Sequence, residues 1–532
     1  MSGESIAPSG RRTRPRAGAA LRAFTVLATL AGTLASGAAL AAPVTAHVEQ
    51  GALSGTTDGD VNTFLGVPFA APPVGELRWK APQPAAKWQG ARNAVAFAPS
   101  CPQAVTPQGF GPWTAEYVVH GAVAEDCLYL NVWAPADMRS QPVLVWIRGG
   151  AFTSGSGSVP IYDGAALARE GIVVVTINYR LGALGFLAHP ALTKEAGTSG
   201  NYGLLDAIAA LRWVDKNIAM FGGDPRKVTI AGQSAGAAAV LDLIGSPLAK
   251  GLFARAIAES GAGLGITPTP LADAEAAGVA FAQAKGAKSL AELRALSADE
   301  IIKPVAGAAA RPLGFAPIAD GHAVLAGECF VSDVPLLTGL NADEGSGMNP
   351  SYGRTTREQL ATQARAQYGA VAPRFLELYP ATSDAEAASA AKTAARERGL
   401  ASTLLWAHAR AEQSGSHAYV YLYTHPEPGP DAARYGAFHS SEIPYVLKTL
   451  DKAQRPYTEV DYALAKTASR YWLNFIRDGD PNGRGSAPWP AFDAKLNQYL
   501  EIGERVGTRA LDARKLELFE QAASAGRPLS LF

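Results

Sequence analysis

A single serine stands between two glycines where an apolar segment meets an alanine-rich one. The stretch reads VTIAGQSAGAAAV from Val228 to Val240 and holds the one G-x-S-x-G pattern of the chain. Its first half predicts the end of a buried strand and its second half a helix. So short a connection must turn sharply, and glycines remove the side chains that would clash there. We predict that Ser234 lies at the tip of a nucleophile elbow, the alternative being a glycine-rich turn with an incidental serine.

A serine hydroxyl needs a base to take its proton, and histidine is suited to that role. In folds with such an elbow, the acid and then the histidine follow the nucleophile along the chain. Of the eight histidines, this order excludes His47, His120 and His189. His439 lies in the loop GAFHSSEIPYVL, before serines that could cap the next helix. It is favoured over the other late histidines, which are His408 in a helix, His417 at a strand start and His425 before a proline.

The acid should be a carboxylate at a strand end, where it can orient the imidazole and stabilise its positive charge. The segment LLTGLNADEGSG offers Asp343 and Glu344. Asp343 suits a turn in which aspartate and glycine shape the backbone, so Glu344 is the better candidate. Together with Ser234 and His439, it would carry out acyl transfer.

Acyl transfer also needs backbone donors aimed at the oxyanion of its tetrahedral intermediate. Gly149, Gly150 and Ala151 follow the strand segment PVLVWIRGGAF and carry little side-chain bulk. Their N–H groups could converge with that of Ala235, the residue after the nucleophile. The alternative is a glycine-rich turn without this role.

Strands and helices that alternate along the chain must position these residues. Continuous apolar runs at 143–147 and 173–175 are typical of strands covered on both faces. Apolar residues recur at helical spacing from Leu204 to Ile218, and later strands are predicted in VPLLTGLNADEG and AYVYLYTH. The pattern predicts an α/β fold with a large, mostly parallel, doubly wound sheet and helices on both faces. Its chemistry should lie at the carboxyl ends of the strands.

The N-terminal segment predicts export. Five arginines within residues 11–22 precede an apolar, small-residue stretch at 23–40, and Ala39-Leu40-Ala41 has the form of a cleavage site. We predict a signal peptide over residues 1–41, a single α/β domain over 42–532, and a periplasmic or secreted protein. A membrane anchor is the alternative, but glycine, threonine and serine dilute the stretch.

Charge and cysteine content restrict the function further. Of the 47 basic and 47 acidic residues of the chain, residues 1–42 hold five Arg and one Glu. The rest of the chain therefore has 42 basic and 46 acidic residues, a net charge of −4. It has no basic face that would suggest nucleic-acid binding. Three cysteines, Cys101, Cys127 and Cys329, allow one disulfide in an exported protein. A bridge between the first two would close 25 residues (127 − 101 − 1).

Several long stretches resemble the type-B carboxylesterases, relatives of the cholinesterases in the α/β-hydrolase fold. FGGDPRKVTIAGQSAG and EDCLYLNVWAP resemble the two signatures of that family, and NYRLGALGF, GNYGLLD, NADEG, GAFHSSEIPYV and GDPNG resemble further blocks in the family's order. The resemblance runs from about Gly51 to near Pro490. It implies a serine carboxylic-ester hydrolase that acts on a small-molecule ester through an acyl-enzyme, with no metal or cofactor.

The resemblance also implies a role for each matching residue. These roles are nucleophile for Ser234, acid for Glu344, base for His439, oxyanion donors for Gly150, Ala151 and Ala235, a serine beside the triad for Ser260, and an early disulfide for Cys101 and Cys127. Cys329 lies far along the chain from both, and we expect it to be buried and unpaired. A lipase or amidase with the same triad is an alternative function. A non-catalytic binding or adhesion protein is another, although such proteins commonly lack the serine or the histidine.

Two positions depart from the family pattern. Arg148 stands where the family usually has histidine before its oxyanion glycines, and Gln233 stands where glutamate commonly precedes the nucleophile. Neither departure removes a catalytic group, but both can alter substrate preference. Trp113, in the segment between Cys101 and Cys127, either packs or offers a cation–π face.

Overall fold

The structure is a computed structural model that describes residues 42–263, 268–304, 314–327, 330–529 and 531. The predicted signal peptide over 1–41 and Cys329 lie outside these residues. The described strands are β1 Ala42–Val48, β2 Gly51–Thr57, β3 Val61–Pro68, β4 Ala91–Asn93, β5 Tyr129–Pro135, β6 Gln141–Ile147, β7 Val173–Ile177, β8 Gly223–Gln233, β9 Arg255–Glu259, β10 Thr269–Pro270, β11 Ile318–Ala319, β12 Leu336–Asn341, β13 Ala418–Tyr423, β14 Gln498–Ile502 and β15 Gly507–Ala510.

The helices of the same residues range from one turn to almost eight. They are α1 Ala165–Arg169, α2 Gly182–Phe186, α3 Pro190–Ala196, α4 Tyr202–Asn217, α5 Ala235–Gly245, α6 Leu271–Ala284, α7 Leu290–Ala295, α8 Ala298–Ile302, α9 Arg357–Tyr368, α10 Ala372–Leu378, α11 Asp384–Ala411, α12 Ala432–Tyr435, α13 Ile443–Val446, α14 Glu459–Asp478 and α15 Ala513–Ser524. Within the described ranges, no helix is both long and apolar enough to cross a membrane.

The described strands form one large sheet and a separate pair. The large sheet runs in the order β1-β2-β3-β5-β7-β6-β8-β9-β12-β13-β14-β15, with β4 beside β2, and β10 pairs with β11. Every neighbouring pair from β7 to β14 is parallel. Antiparallel pairs lie toward the two edges, from β1 to β7 and at β14-β15. The middle of the sheet is therefore parallel.

Alternate residues of β6 face two different cores. Val143, Val145 and Ile147 pack in the core that contains α4 and α5. Leu144 and Trp146 pack in the core that contains α14. Because successive side chains of a strand point to opposite faces, helices must cover both faces of the sheet. The predicted mostly parallel sheet with helices on both faces is confirmed.

Local signals at both ends of α14 explain its bounds. The backbone N–H of Thr458 donates to the Asp461 carboxylate at 2.7 Å, which completes a capping box at the start. Gly479 follows the helix with a φ of 78°, the left-handed conformation that ends many helices. Between these ends, apolar residues recur every three or four positions and are buried against the sheet.

Loops at the carboxyl ends of the parallel strands bring the predicted chemistry to one edge. β6 leads into Arg148, β8 into Ser234, β9 into Ser260, β12 into the acid segment, and β13 into the segment that contains His439. Parallel strands end at the same edge of a sheet, so residues distant in sequence meet there.

A disulfide joins Cys101 to Cys127, with the two Cα atoms 5.0 Å apart. The chain it closes reaches toward the loop that follows β6 through Gln103. The Gln103 amide nitrogen donates to the carbonyl of Gly155 at 2.9 Å, and its oxygen accepts from the Gly155 N–H at 2.6 Å. The disulfide therefore anchors a segment that holds the glycine-rich loop.

Replacing both Cys101 and Cys127 with serine should lower the free energy of unfolding by about 3.5 kcal/mol, because the unfolded chain gains the entropy of a 25-residue loop. Guanidinium denaturation of the oxidised wild type and the double variant measures this difference. Reductant should bring the wild type to the level of the double variant and leave the variant unchanged. A wild type indifferent to reductant would contradict the prediction.

Candidate active site

Ser234 joins β8 to α5 in a strained backbone conformation. Its φ of 59° and ψ of −125° are rare for a residue with a side chain. Its N–H donates to the carbonyl of Glu259 at 2.8 Å, and its carbonyl accepts from the N–H of Ala238 at 2.9 Å. These two bonds hold the sharp strand-to-helix turn, while the serine side chain remains partly exposed.

Glycines allow the β6 loop to approach this turn. A Cβ on Gly236 would lie 2.8 Å from the carbonyl carbon of Arg148. A Cβ on Gly149 would lie 2.5 Å from the carbonyl oxygen of Gln233 and 3.1 Å from Cβ of Ser234. Real Cβ atoms do not approach backbone atoms this closely, so only glycine fits. The glycine-rich loop therefore lies directly against the serine.

Gly150 and Ala151 turn this loop so that the Gly150 carbonyl is occupied while the N–H groups of both residues are not. Gly150 has a φ of 108° and Ala151 a φ of 53°. The Gly150 carbonyl accepts from the N–H groups of Thr153 and Ser154, both at 2.9 Å. Among the described residues, no acceptor bonds the N–H of Gly150, Ala151 or Ala235. All three therefore remain able to donate to an oxyanion.

Glu344 lies against His439. The Nδ1 of His439 donates to Oε2 of Glu344. Oε1 accepts from the Ser260 hydroxyl at 2.6 Å and from the N–H of Asn341 at 2.7 Å. His439 is only 6% exposed and Glu344 only 4%. The two donors on Oε1 thus fix the carboxylate, whose Oε2 in turn fixes the plane of the imidazole.

Asp343, the other candidate acid, faces away from the imidazole. Its carboxylate accepts from the Tyr352 hydroxyl at 2.8 Å and from the N–H of Ala437 at 3.1 Å, and it lies 3.3 Å from Nζ of Lys392. Its own N–H donates to the carbonyl of Ala437 at 2.9 Å. Asp343 therefore joins the acid loop to the histidine loop.

The His439 loop is held from two sides. The amide nitrogen of Gln233 lies 3.1 Å from Nε2 and 3.3 Å from Nδ1 of the imidazole, and its oxygen accepts from the Ser440 hydroxyl at 3.1 Å. The indole N–H of Trp113 donates to the His439 carbonyl at 3.0 Å. The Trp113 ring also packs against Phe110 and Phe438, with ring centres 5.2 and 6.1 Å away, which is the packing role considered for it. The serines after His439 do not cap α13, whose N-cap is Glu442.

Two further carboxyl groups, which sequence reasoning missed, lie fully buried behind the site. Glu259 accepts from the indole N–H of Trp472 at 2.7 Å, and Glu442 accepts from the Asn341 side chain at 2.5 Å. Burial, and then the charge of Glu344, raises the pKa of Glu442 to about 7. Burial, and then the charge of Glu442, raises the pKa of Glu259 well above its ordinary value. Below neutral pH, both groups therefore add little negative charge near the imidazole.

The sequence carried only weak signals for these groups. Glu259 ends a strand directly before Ser260, and Glu442 lies three residues after His439. A position beside a site residue could have marked either one, but burial was not visible. Within the described part of the chain, no three His, Cys, Asp or Glu side chains converge as a metal site would require.

Replacing Gln233 with glutamate should move the acid limb of the pH–turnover profile to higher pH. Negative charge at this position, where the present amide nitrogen lies 3.1 Å from Nε2 of His439, favours the protonated and inactive imidazolium. We expect the midpoint of the acid limb in the variant to lie about one pH unit above that of the wild type. Profiles from about pH 5 to 9 on a neutral ester measure this shift.

Gln233→Ala is the matched control because it removes the amide without adding charge. Its midpoint should stay close to that of the wild type. An unchanged midpoint in Gln233→Glu, with chemistry shown to limit turnover, would argue against His439 as the base.

Comparisons with known proteins agree with this geometry. The profile of the Carboxylesterase family matches residues 42–519. The chain is 38% identical to fumonisin B1 esterase of Sphingopyxis macrogoltabida over 487 residues, which cover 87% of each protein. It is 35% identical to para-nitrobenzyl esterase of Bacillus subtilis strain 168 over 482 residues, 86% of this chain and 94% of the relative. A solved structure of PNB esterase superposes with a TM-score of 0.74 at 31% identity, over 89% of this chain and 99% of that one.

Proposed function

Since the chain belongs to the carboxylesterase family and is a carboxylic-ester hydrolase, we propose that it cleaves esters through a covalent acyl-enzyme on Ser234. The observation that carries this proposal is the pairing of Glu344 with His439 beside the strained turn that presents the serine. Strained, positive-φ serines and buried carboxylate–imidazole pairs are costly, and they persist where function requires them.

Acylation begins when Oγ of Ser234 attacks the ester carbonyl carbon and Nε2 of His439 takes the hydroxyl proton. The carbonyl oxygen becomes an oxyanion, which accepts from the N–H groups of Gly150, Ala151 and Ala235. The imidazolium is stabilised by Glu344. When the intermediate collapses, the bond to the leaving oxygen breaks, and the alcohol departs with the proton from His439.

Deacylation repeats these steps with water as the nucleophile. His439 takes a proton from water, whose oxygen attacks the acyl carbon, and the same three N–H groups stabilise the second oxyanion. Collapse breaks the bond to Oγ, the proton returns from His439 to Ser234, and the carboxylic acid leaves. The cycle needs only groups on this chain and water.

The same proposal includes where the enzyme acts. The Cys101–Cys127 disulfide suggests an oxidising compartment, because such bonds are rare in the cytosol. We propose that residues 1–41 direct export and that residues 42–532 form the catalytic domain. The substrate is a small-molecule ester, and the relative named para-nitrobenzyl esterase makes a para-nitrobenzyl ester a reasonable first probe.

A p-nitrophenyl phosphonate ester tests the nucleophile directly, because it phosphonylates an activated serine and releases nitrophenolate. We expect one adduct per chain, loss of esterase activity in proportion to labelling, and protection by substrate. The tryptic peptide of residues 228–250 contains Ser234 and also Ser246, which is fully buried and serves as an internal control. Activity that survives full labelling of Ser234, or inactivation by an adduct on another residue, would overturn the proposal.

A further inference from the structure

Arg148 is a buried arginine at the start of the glycine-rich loop, only 1% exposed. Its Nη1 donates to the carbonyl of Gly149 at 3.2 Å and to the carbonyl of Ser154. Its Nη2 donates to the carbonyl of Tyr179 at 3.2 Å, and the guanidinium lies 4.1 Å from the centre of the Tyr179 ring. One side chain thus connects both ends of the loop to the segment that follows β7.

The bond to Gly149 is significant because of peptide geometry. The Gly149 carbonyl and the Gly150 N–H belong to one planar, trans peptide unit and point in opposite directions. A group that holds the carbonyl on one side therefore aims the N–H toward the other. Glycine on both sides of this peptide leaves it unusually free to rotate unless something holds it.

The peptides of the other two donors are held differently. The carbonyl paired with the Ala151 N–H belongs to Gly150 and accepts from two backbone N–H groups of the same loop. The carbonyl paired with the Ala235 N–H belongs to Ser234 and accepts from Ala238 in the first turn of α5. Within the described residues, the Gly149 carbonyl instead takes its hydrogen bond from the Arg148 side chain. The Gly150 donor thus depends on a side chain.

The charge of Arg148 is not neutralised locally. No carboxylate of the described residues forms an ion pair with it, in contrast to buried Arg180, which pairs with Asp206 at 2.7 Å. A hydrogen bond from a cation is stronger than one from a neutral donor, and it polarises the peptide that receives it. The N–H on the far side of that peptide becomes a better donor.

We propose that Arg148 is a positioning residue of the oxyanion hole, which holds the Gly149–Gly150 peptide in the donating orientation and strengthens the Gly150 N–H by its charge. The inference rests on the proposed function, since it assigns the oxyanion to that donor. Histidine, usual at this position in the family, lacks the planar fork that reaches three carbonyls.

The test compares Arg148→Met and Arg148→Lys with the wild type on a neutral p-nitrophenyl ester and on an aryl trifluoromethyl ketone, which adds to the nucleophile as a hemiketal oxyanion. In Arg148→Met we expect kcat to fall by about 30- to 100-fold with KM within about threefold, and ketone affinity to fall by a similar factor. Arg148→Lys keeps the charge without the fork and should lie between the two.

Arg410→Met is the matched control. Arg410 is 2% exposed and donates to the carbonyls of Val334 and Ser416, which precede β12 and β13 at the opposite edge of the sheet. The Arg410→Met enzyme should be less stable to denaturant than the wild type but keep its kcat and its ketone affinity. An Arg148→Met enzyme that is destabilised yet keeps wild-type kcat and ketone affinity would overturn the proposal, and so would loss of kcat without loss of ketone affinity.

If Arg148→Met does not fold, the kcat and the ketone affinity of Arg148→Lys test the proposal instead. Failure of the proposed function gives a different result. In that case a Ser234→Ala enzyme would hydrolyse the ester and bind the ketone as the wild type does, whatever the Arg148 variants show.

Discussion

Replacing Ser234 with alanine should lower kcat by about 10⁶-fold while the protein stays folded, as removal of the nucleophile does in other triad enzymes. In the proposed mechanism the Ser234 hydroxyl is the attacking group, and no acyl-enzyme can form without it. The side chain is partly exposed, and alanine occupies the φ of 59° at a cost similar to that of serine, so the free energy of unfolding should change little.

Ser383→Ala is the matched control for this variant. Ser383 caps α11 by accepting from the N–H of Glu386, so its loss should lower the free energy of unfolding by about 1 kcal/mol and leave kcat unchanged. The decisive measurement is kcat after active-site titration has excluded contaminating esterase. A Ser234→Ala enzyme that retains more than about a tenth of wild-type kcat would falsify the nucleophile assignment.

Glu344→Gln should lower kcat by about 10⁴-fold, because the amide holds His439 in the wrong tautomer. Ser260 and Asn341 both donate to Oε1, so the amide oxygen of the variant should occupy that position. Its NH₂ group then faces Nδ1 of His439, which must accept. The proton is left on Nε2, where the imidazole can no longer take one from Ser234.

Asp343→Asn is the matched control, since Asp343 is the adjacent carboxylate and faces Tyr352 and Lys392 instead. Its kcat should fall by less than about tenfold, which is the scale of a small shift in loop geometry. The pH–turnover profile separates two explanations of any loss, which are a changed state of the His439 imidazole and a small shift in loop geometry. If Glu344→Gln and Asp343→Asn lost activity equally, the acid would not be Glu344.

Periodicity predicted most of the elements that support the site. The apolar run at 143–147 lies within β6, the run at 173–175 lies within β7, and the helical pattern from Leu204 to Ile218 corresponds to α4. The late apolar segments became β12 and β13. These predictions succeeded because a strand or helix covered by neighbours must repeat its apolar residues at its own period, which is readable in a single sequence.

The sequence alone also determined where reactive groups could stand: a serine between glycines at a strand-to-helix junction, a carboxylate at a strand end, and a histidine in a late loop. Local chemistry could favour Glu344 over Asp343, but only tertiary structure decided which of the two faces His439. It alone decided that Trp113 holds a backbone carbonyl, that Glu259 and Glu442 are buried behind the site, and that the Arg148 fork spans the glycine-rich loop. Each of these facts depends on packing between segments distant in the chain or on the path of a loop, and neither leaves a period or a motif in the sequence.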